Sequence, residues 1–216
     1  MFVRPRSQPD RRIRAVPLVA ARGHDRRIAH GNLRPALYEV APSLTDGTVV
    51  LDAFRPEDAD SHLAGEDEEQ ARRFGWFPRR STLAGVQETI ARWREQWLTR
   101  GPVLAFTLRL ADSEELVGGC ELRLGDGSTA SMSYWTFPRF RRRGLATRAV
   151  VLVTRYAFDT LGVTEIEVEI EPDNVASRGV ARRAGFADAG TTQASPRDGA
   201  APRTMLRFVL VDVPSL

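Results

Sequence analysis

The chain has 216 residues, 42% hydrophobic and 8% aromatic, which is enough for one substantial core and little more. No stretch reaches the roughly 18 consecutive apolar residues of a membrane span, and no apolar run near Met1 leads to a small-residue cleavage site. The expectation is a soluble, cytoplasmic protein with no membrane partner. A single cysteine, Cys120, excludes a disulfide framework and any Cys-based metal site, and His24, His30 and His62 lack ligand-like spacing, so no metal is expected. All 31 cationic residues are Arg, which removes a lysine nucleophile or Schiff base from consideration.

The formal net charge of +3 is unevenly spread. Residues 1–40 hold nine Arg against Asp10, Asp25 and Glu39, so the remainder is slightly acidic. Residues 1–45, rich in Arg and Pro and without sustained periodicity, read as an extension ahead of one catalytic domain over 46–216.

From Thr48 to Phe54 the pattern is a short strand, and Arg55-Pro56-Glu57-Asp58 suits a helix start, with Pro in the first turn and acids near the positive dipole end. Two helical stretches are predicted next. The second, from Ser81 to about Arg100, sets Val86, Ile90, Trp93 and Trp97 at three- and four-residue steps before Gly101-Pro102 stops it. Trp76, Trp93 and Trp97 could line an acceptor pocket over the sheet, but aromatic residues at helical spacing are usually core, which is the reading preferred for them. Three apolar runs follow, Val103–Leu110, Leu116–Leu124 and Thr129–Phe137, joined by Ala111-Asp112-Ser113-Glu114 and Gly125-Asp126-Gly127-Ser128, which predicts an antiparallel meander. Cys120, inside the second run, reads as a small buried hydrophobe. A helix from Gly144 to Leu161, a strand over Thr164–Glu171, a helix from Asn174 to Ala184 and strands near Phe186 and Arg203–Val211 complete the chain. A meander passing into β-α-β-α-β predicts an α/β fold with a mixed sheet and helices on its faces.

The segment Thr136 to Ala146 lies between a strand end and a helix start, where consecutive backbone N–H groups and the helix dipole can hold a pyrophosphate. A run such as Arg141-Arg142-Arg143 also fits a nucleic-acid patch, yet the following helix carries Leu145, Ala149, Leu152, Val153 and Tyr156 on one stripe, as a packed helix does. The string Arg141-x-x-Gly144-x-Ala146 resembles the acyl-CoA signature of the GNAT N-acetyltransferase superfamily. Tyr134-Trp135, and Pro172-Asp173-Asn174-Val175-Ala176-Ser177 leading to Ala184-Gly185-Phe186, are similar to its RimJ/RimL-like branch.

The resemblance covers about residues 47–211 and implies the GNAT fold: a mixed, mostly antiparallel sheet of six to seven strands, about four flanking helices and a splayed central strand pair. It implies acetyl-CoA as co-substrate. Thr136 and Phe137 would offer main-chain groups to the pantetheine arm and acetyl carbonyl, and Arg141, Arg142, Arg143, Gly144, Leu145, Ala146 and Thr147 would cradle the pyrophosphate. Asn174 would bind pantetheine and Ser177 would sit near the sulfur, although Asn174 is equally a good helix N-cap.

Transfer to an amine needs a base, because an α-amine titrates at about 8 and a lysine amine at about 10.4. In Glu165-Ile166-Glu167-Val168-Glu169-Ile170-Glu171 the four acids share one strand face. Glu169 is the first candidate base, where some N-terminal acetyltransferases of the superfamily carry a catalytic glutamate, with Glu121 and Glu171 in reserve; a solvated strand face is the plain alternative. Many GNAT enzymes place a tyrosine acid where this chain has Ala181, so Ser177 inherits that role. Ser131 and Ser133 replace branch-typical Glu and Gly, which leaves the acceptor open. The implied reaction is acetyl transfer to a protein or peptide N-terminal amine. The alternatives are a small-molecule acceptor such as an aminoglycoside, polyamine or amino acid, for which the Glu66-Asp67-Glu68-Glu69 run could supply acid, and a non-catalytic acyl-CoA-binding domain. Nucleic acid ranks last among partners, and a homodimer stays open.

Overall fold

The computed structural model describes residues 41–194 and 202–213. The Arg-rich residues 1–40, with His24 and His30, lie outside the described residues. The described chain runs β1 (Leu44–Thr45), β2 (Val49–Leu51), α1 (Asp58–Gly65), α2 (Glu68–Phe74), α3 (Leu83–Leu98), β3 (Val103–Leu110), β4 (Leu116–Leu124), β5 (Thr129–Thr136), α4 (Leu145–Leu161), β6 (Glu165–Ile170), α5 (Val175–Arg183), β7 (Ala187–Ala194) and β8 (Arg203–Val211). The eight strands form one sheet in the order β1-β2-β3-β4-β5-β6-β8-β7. The meander of β3, β4 and β5 is antiparallel as expected, and β5 with β6 is the one parallel pair among the described strands.

Both element counts exceed expectation, for local reasons. Leu44 and Thr45, read as the end of the extension, pair with Leu51 and Val50; two residues are too few to show alternation in sequence. The first helical stretch is two helices, because Glu66 is extended and the Asp67 side chain accepts the Gln70 N–H at 2.8 Å, starting a new helix.

Alternation along each strand assigns the faces. Glu121 pairs with Ser133 and Cys120 with Tyr134, so these pairs point to opposite sides. Glu121 accepts a hydrogen bond from Trp93 of α3, and Tyr134 bonds Ser177 of α5, so α3 and α5 cover opposite faces. The apolar stripe of α4 is buried on the sheet, and Ile166, Val168 and Ile170 are buried while Glu165, Glu167 and Glu169 turn to the other face. Cys120 is fully buried, and burial pushes its thiol up.

One buried charge pair fixes α1 on the sheet. Arg109 of β3 donates from Nη2 to Asp58 Oδ1 and Oδ2 at 2.6 and 2.7 Å, with both side chains 8% exposed. Removing Asp58 leaves the buried guanidinium with only its longer contacts, to Asp52 Oδ1 at 3.4 Å and the Glu114 carbonyl at 3.3 Å. Asp58→Ala is therefore expected to lower unfolding free energy by about 3–5 kcal/mol, read from urea denaturation; a loss below about 1 kcal/mol would show that the pair is not structural.

Candidate active site

At the end of β5 the chain makes a 3-10 turn, Pro138–Phe140, then places Arg142 and Gly144 in the left-handed region at φ 63° and 77°. Gly144 takes that conformation without strain, whereas Arg142 holds it at a cost of about 1–3 kcal/mol. Such a turn aims successive amides to one side. The first intrahelical donor of α4 is Arg148, to the Gly144 carbonyl at 3.2 Å, and no N–H from Arg142 to Thr147 donates to another described residue. Arg142 and Gly144 to Thr147 line a cavity of about 690 Å³. Thr136 Oγ1 and Thr147 Oγ1, on two of its lining residues, are buried with no hydrogen-bond partner among the described residues. A cradle of amides at a helix N-terminus with spare hydroxyls fits a phosphate-bearing arm.

The cavity leads from this cradle to the divergence of β5 and β6. The two strands pair only at Thr129–Glu165, Ala130–Ile166 and Ser131–Glu167, while β4 follows β5 to Thr136 and β8 follows β6 to Ile170. Phe137 N–H bonds the Val117 carbonyl at 2.8 Å, so by alternation the N–H groups of Thr136 and Tyr134 point into the gap. Across it, the Tyr134 hydroxyl lies 2.9 Å from Ser177 Oγ and 3.0 Å from the Ser177 carbonyl. Burial, opposed by the Ser177 hydrogen bond, pushes the Tyr134 phenol up to about 12, so it stays protonated and can donate. Asn174 Oδ1 accepts the Ser177 N–H at 3.0 Å as the α5 N-cap, which leaves its amide NH₂ toward the cavity.

A smaller space of about 100 Å³ opens beside Tyr134, Ser177, Ser133 and Glu169. The acids around it differ in their partners. Glu171 accepts from Arg73 at 2.5 Å and Arg203 at 3.2 Å, and Glu167 is bonded by Arg207. Glu121 accepts from Trp93 Nε1 at 2.7 Å and is paired with Arg123. Glu169 makes no ion pair or hydrogen bond with another described residue; burial raises its carboxyl pKa, the neighbouring Glu167 adds to this, and Arg207 opposes it. Among these four acids, Glu169 is the one with a carboxylate available for a new proton.

Several expected site residues are placed differently. The Arg141 guanidinium is engaged by Asp67, at 2.8 Å, and by the Thr136 carbonyl at 3.0 Å, so it meets the cavity already paired. Burial works to raise the Asp67 carboxyl, but Arg141 and the Gln70 N–H outweigh it and hold it low. Phe137 is core, 3% exposed, with its ring against the α1 backbone at Gly65, where a Cβ would fall 2.4 Å from it. Arg143 is exposed with its guanidinium over Phe140, and neither Phe137 nor Arg143 lines the cavity. Thr136, Arg141, Arg142, Gly144, Leu145, Ala146, Thr147, Asn174 and Ser177 do.

Sequence reading missed Tyr134 as a hydroxyl donor, since its partner lies 43 positions away; it also missed Phe74 and Gln70 of α2, whose helix gave no separate signal. A third cavity, about 830 Å³, lies on the α3 side and shares Gln70, Phe74 and Trp135 with the first. Trp97 is core and bonds the Ala105 carbonyl at 2.9 Å, but Trp76 and Trp93, also read as core, line this third cavity. Helical spacing cannot separate a core stripe from a cavity wall.

Among the described residues no group of three potential metal ligands and no helix long and apolar enough to cross a membrane is present. Comparison with known proteins agrees with this geometry. Residues 48–187 match the acetyltransferase (GNAT) domain family. YjcK of Bacillus subtilis (strain 168), named "probable N-acetyltransferase", is 31% identical over 108 residues, a match spanning 49% of this chain and 59% of that protein. RimJ of Mycobacterium smegmatis, solved with a coenzyme A disulfide, shares the fold with a TM-score of 0.67 at 21% identity, covering 83% of this chain and 90% of that one. The aminoglycoside acetyltransferase AAC(6')-Ib, solved with coenzyme A, gives 0.61 at 20% identity, covering 76% and 95%. The amide cradle, the splayed parallel pair and a domain match over well over half of the sequence together make this chain a member of the GNAT acetyltransferase family.

Proposed function

We propose that the protein transfers an acetyl group from acetyl-CoA to the α-amine of a protein or peptide N-terminus, as a member of the RimJ/RimL-like branch. The observation that carries the reading is the continuous cavity from the amide cradle at Arg142–Thr147 to the gap between β5 and β6. The amides and Thr147 hold the pyrophosphate, and Asn174 NH₂ donates to the pantetheine. The N–H of Thr136 or Tyr134 polarises the thioester oxygen. The thioester supplies an activated acyl carbon and a thiolate leaving group.

Glu169 takes the proton of the attacking ammonium, directly or through one water, so that the nitrogen lone pair can form the C–N bond as the C–S bond breaks. Ser177 gives its hydroxyl proton to the departing thiolate as it takes one from the Tyr134 phenol, and the second proton that the nitrogen loses on becoming an amide returns through water to Tyr134. The thiol pKa of about 8.5 makes this second transfer helpful rather than decisive. Coenzyme A in the solved RimJ and aminoglycoside enzymes supports the choice of co-substrate.

The acidic run speaks against a polycationic acceptor. Asp67 pairs with Arg141, Glu68 with Arg72 at 2.5 Å, Glu69 with Arg73 and Arg141 at 3.7 and 3.5 Å, and Glu66 lies 3.4 Å from His62. Carboxylates spent on intramolecular partners form no dense acidic pocket. The unpaired Glu169 and the Tyr134–Ser177 pair favour an active enzyme over a non-catalytic binding domain.

Glu169→Gln is expected to lower kcat/KM for a peptide acceptor by about 10² or more, and Ser177→Ala or Tyr134→Phe by about tenfold, with the acetyl-CoA dissociation constant unchanged within about threefold. Steady-state thiol release and calorimetric titration of acetyl-CoA check both; wild-type rates in Glu169→Gln would remove it as the base. The base works ionised, so activity falls as pH drops through its pKa. Below the acceptor's own limb at about pH 8, log kcat/KM should carry a second limb, above the usual glutamate value of 4.5, that disappears in Glu169→Gln. A profile identical in the two proteins would contradict this.

A further inference from the structure

The acids along β6 are unequally supplied with counter-charge. In the antiparallel register of β6 and β8, Arg207 stands directly opposite Glu169, and Val209 stands opposite Glu167. Directly opposed side chains start about 4.5–5.5 Å apart and diagonal ones about 7–8 Å, so Glu169 is the carboxylate nearest the root of Arg207. Yet the guanidinium turns to the diagonal neighbour: Nε donates to Glu167, and Nη2 reaches Glu165 Oε1 at 3.4 Å. Past the other end of the strand, Glu171 takes Arg73 at 2.5 Å and Arg203 at 3.2 Å. Three guanidiniums therefore serve the acids on either side, and Glu169, beside the β5–β6 gap, pairs with none among the described residues.

The charged and titratable groups around Glu169 come from every side. Its own strand supplies Glu167 and Glu171, and β8 supplies Arg207. From α2 comes Arg73, which lines the same small space and is taken up by Glu171 and Asp173. Across the gap, β5 presents the Tyr134 phenol and Ser133, whose hydroxyl accepts from Arg123, itself paired with Glu121. Arg207 is thus the one cation whose register sets it against Glu169 and whose side chain is drawn elsewhere. Burial raises the Glu169 carboxyl, Glu167 adds to this and Arg207 opposes it, which agrees with a guanidinium held at a distance.

We infer that Glu167 is a positioning residue for the transfer: by holding Arg207 it keeps a guanidinium off Glu169, so that this carboxylate is free to take a proton from the acceptor. The inference rests on the assignment of Glu169 as base above. An arginine bonded to a carboxylate favours its ionised form and weakens its hold on a proton. A guanidinium in that place also repels the incoming ammonium. Without the Glu167 charge, Arg207 drops back onto its direct cross-strand partner, and both consequences follow. Glu167 and Arg207 side chains are 26% and 35% exposed, so replacing either by Gln spares the fold.

The test reads Glu169 without turnover, from the carboxyl NMR resonance of glutamate-labelled protein titrated with acid, Glu169→Gln assigning the signal. Thiol release with a peptide acceptor gives kcat/KM alongside. In Glu167→Gln the Glu169 midpoint should fall by about half a pH unit or more, and kcat/KM at neutral pH by about three- to tenfold. In Arg207→Gln the midpoint should rise instead. With Arg207 already replaced, Glu167→Gln should move the midpoint by less than about half as much as in the wild-type background, a coupling that neither loss of one negative charge nor damage to the sheet produces. An unmoved midpoint in Glu167→Gln, or equal shifts in the two backgrounds, overturns the inference. Midpoints that move as expected, with rates indifferent to them and to Glu169→Gln, would overturn Glu169 as the base and with it the catalytic role of Glu167, while its hold on Arg207 stands.

Discussion

The structure depends on how little β5 and β6 hold each other. Parallel strands that stay paired leave no room between them, yet here only Thr129–Ser131 and Glu165–Glu167 are in register. Each strand is secured on its outer edge instead, β5 by seven residue pairs to β4 and β6 by six to β8. The gap therefore opens without a loss of sheet, and its unpaired amides are left for a ligand. The Tyr134 phenol bridges it to Ser177, which fixes the start of α5 relative to β5. The starts of α4 and α5, which line the cavity, follow the ends of these two strands, the place where a binding crevice is expected between parallel strands.

Charge is arranged around that gap by arginine alone. Away from the face that α5 covers, Arg207 bonds Glu167, Arg73 and Arg203 hold Glu171, and Arg123 holds Glu121. Arg141 serves α2 through Asp67. Planar guanidiniums fix carboxylate geometry in two dimensions, which lysines would not. The Asp67–Arg141 pair also joins the cradle to α2, whose Phe74 borders all three cavities.

Elements with strong periodicity were legible in the sequence. The alternation of Glu165–Glu171 assigned the faces of β6, the turn residues at 111–114 and 125–128 set the meander, and the stripe from Leu145 to Tyr156 is buried. Two-residue β1 and the break between α1 and α2 were not, because each turns on a single pairing or cap rather than on a repeat. Within the candidate site, the backbone cradle was readable because its glycine and its place before a helix are local features. Side-chain directions were not: Arg141 turns to an acid 74 positions away, Phe137 packs on Gly65, and Tyr134 finds Ser177 only once α5 has folded over the gap. Motif matching located the chain in space; long-range contacts decided which groups remain available.

Amide hydrogen exchange with and without saturating acetyl-CoA tests the central assignment most directly. Slowed exchange at the N–H groups of Arg142, of Gly144 to Thr147, and of Tyr134 and Thr136, with little change in β7 and β8, is the predicted result, since those amides lack other partners among the described residues. Protection absent from these positions at saturation, or concentrated in the cavity walled by Trp76 and Trp93, would contradict an acyl-CoA arm running from the cradle into the β5–β6 gap.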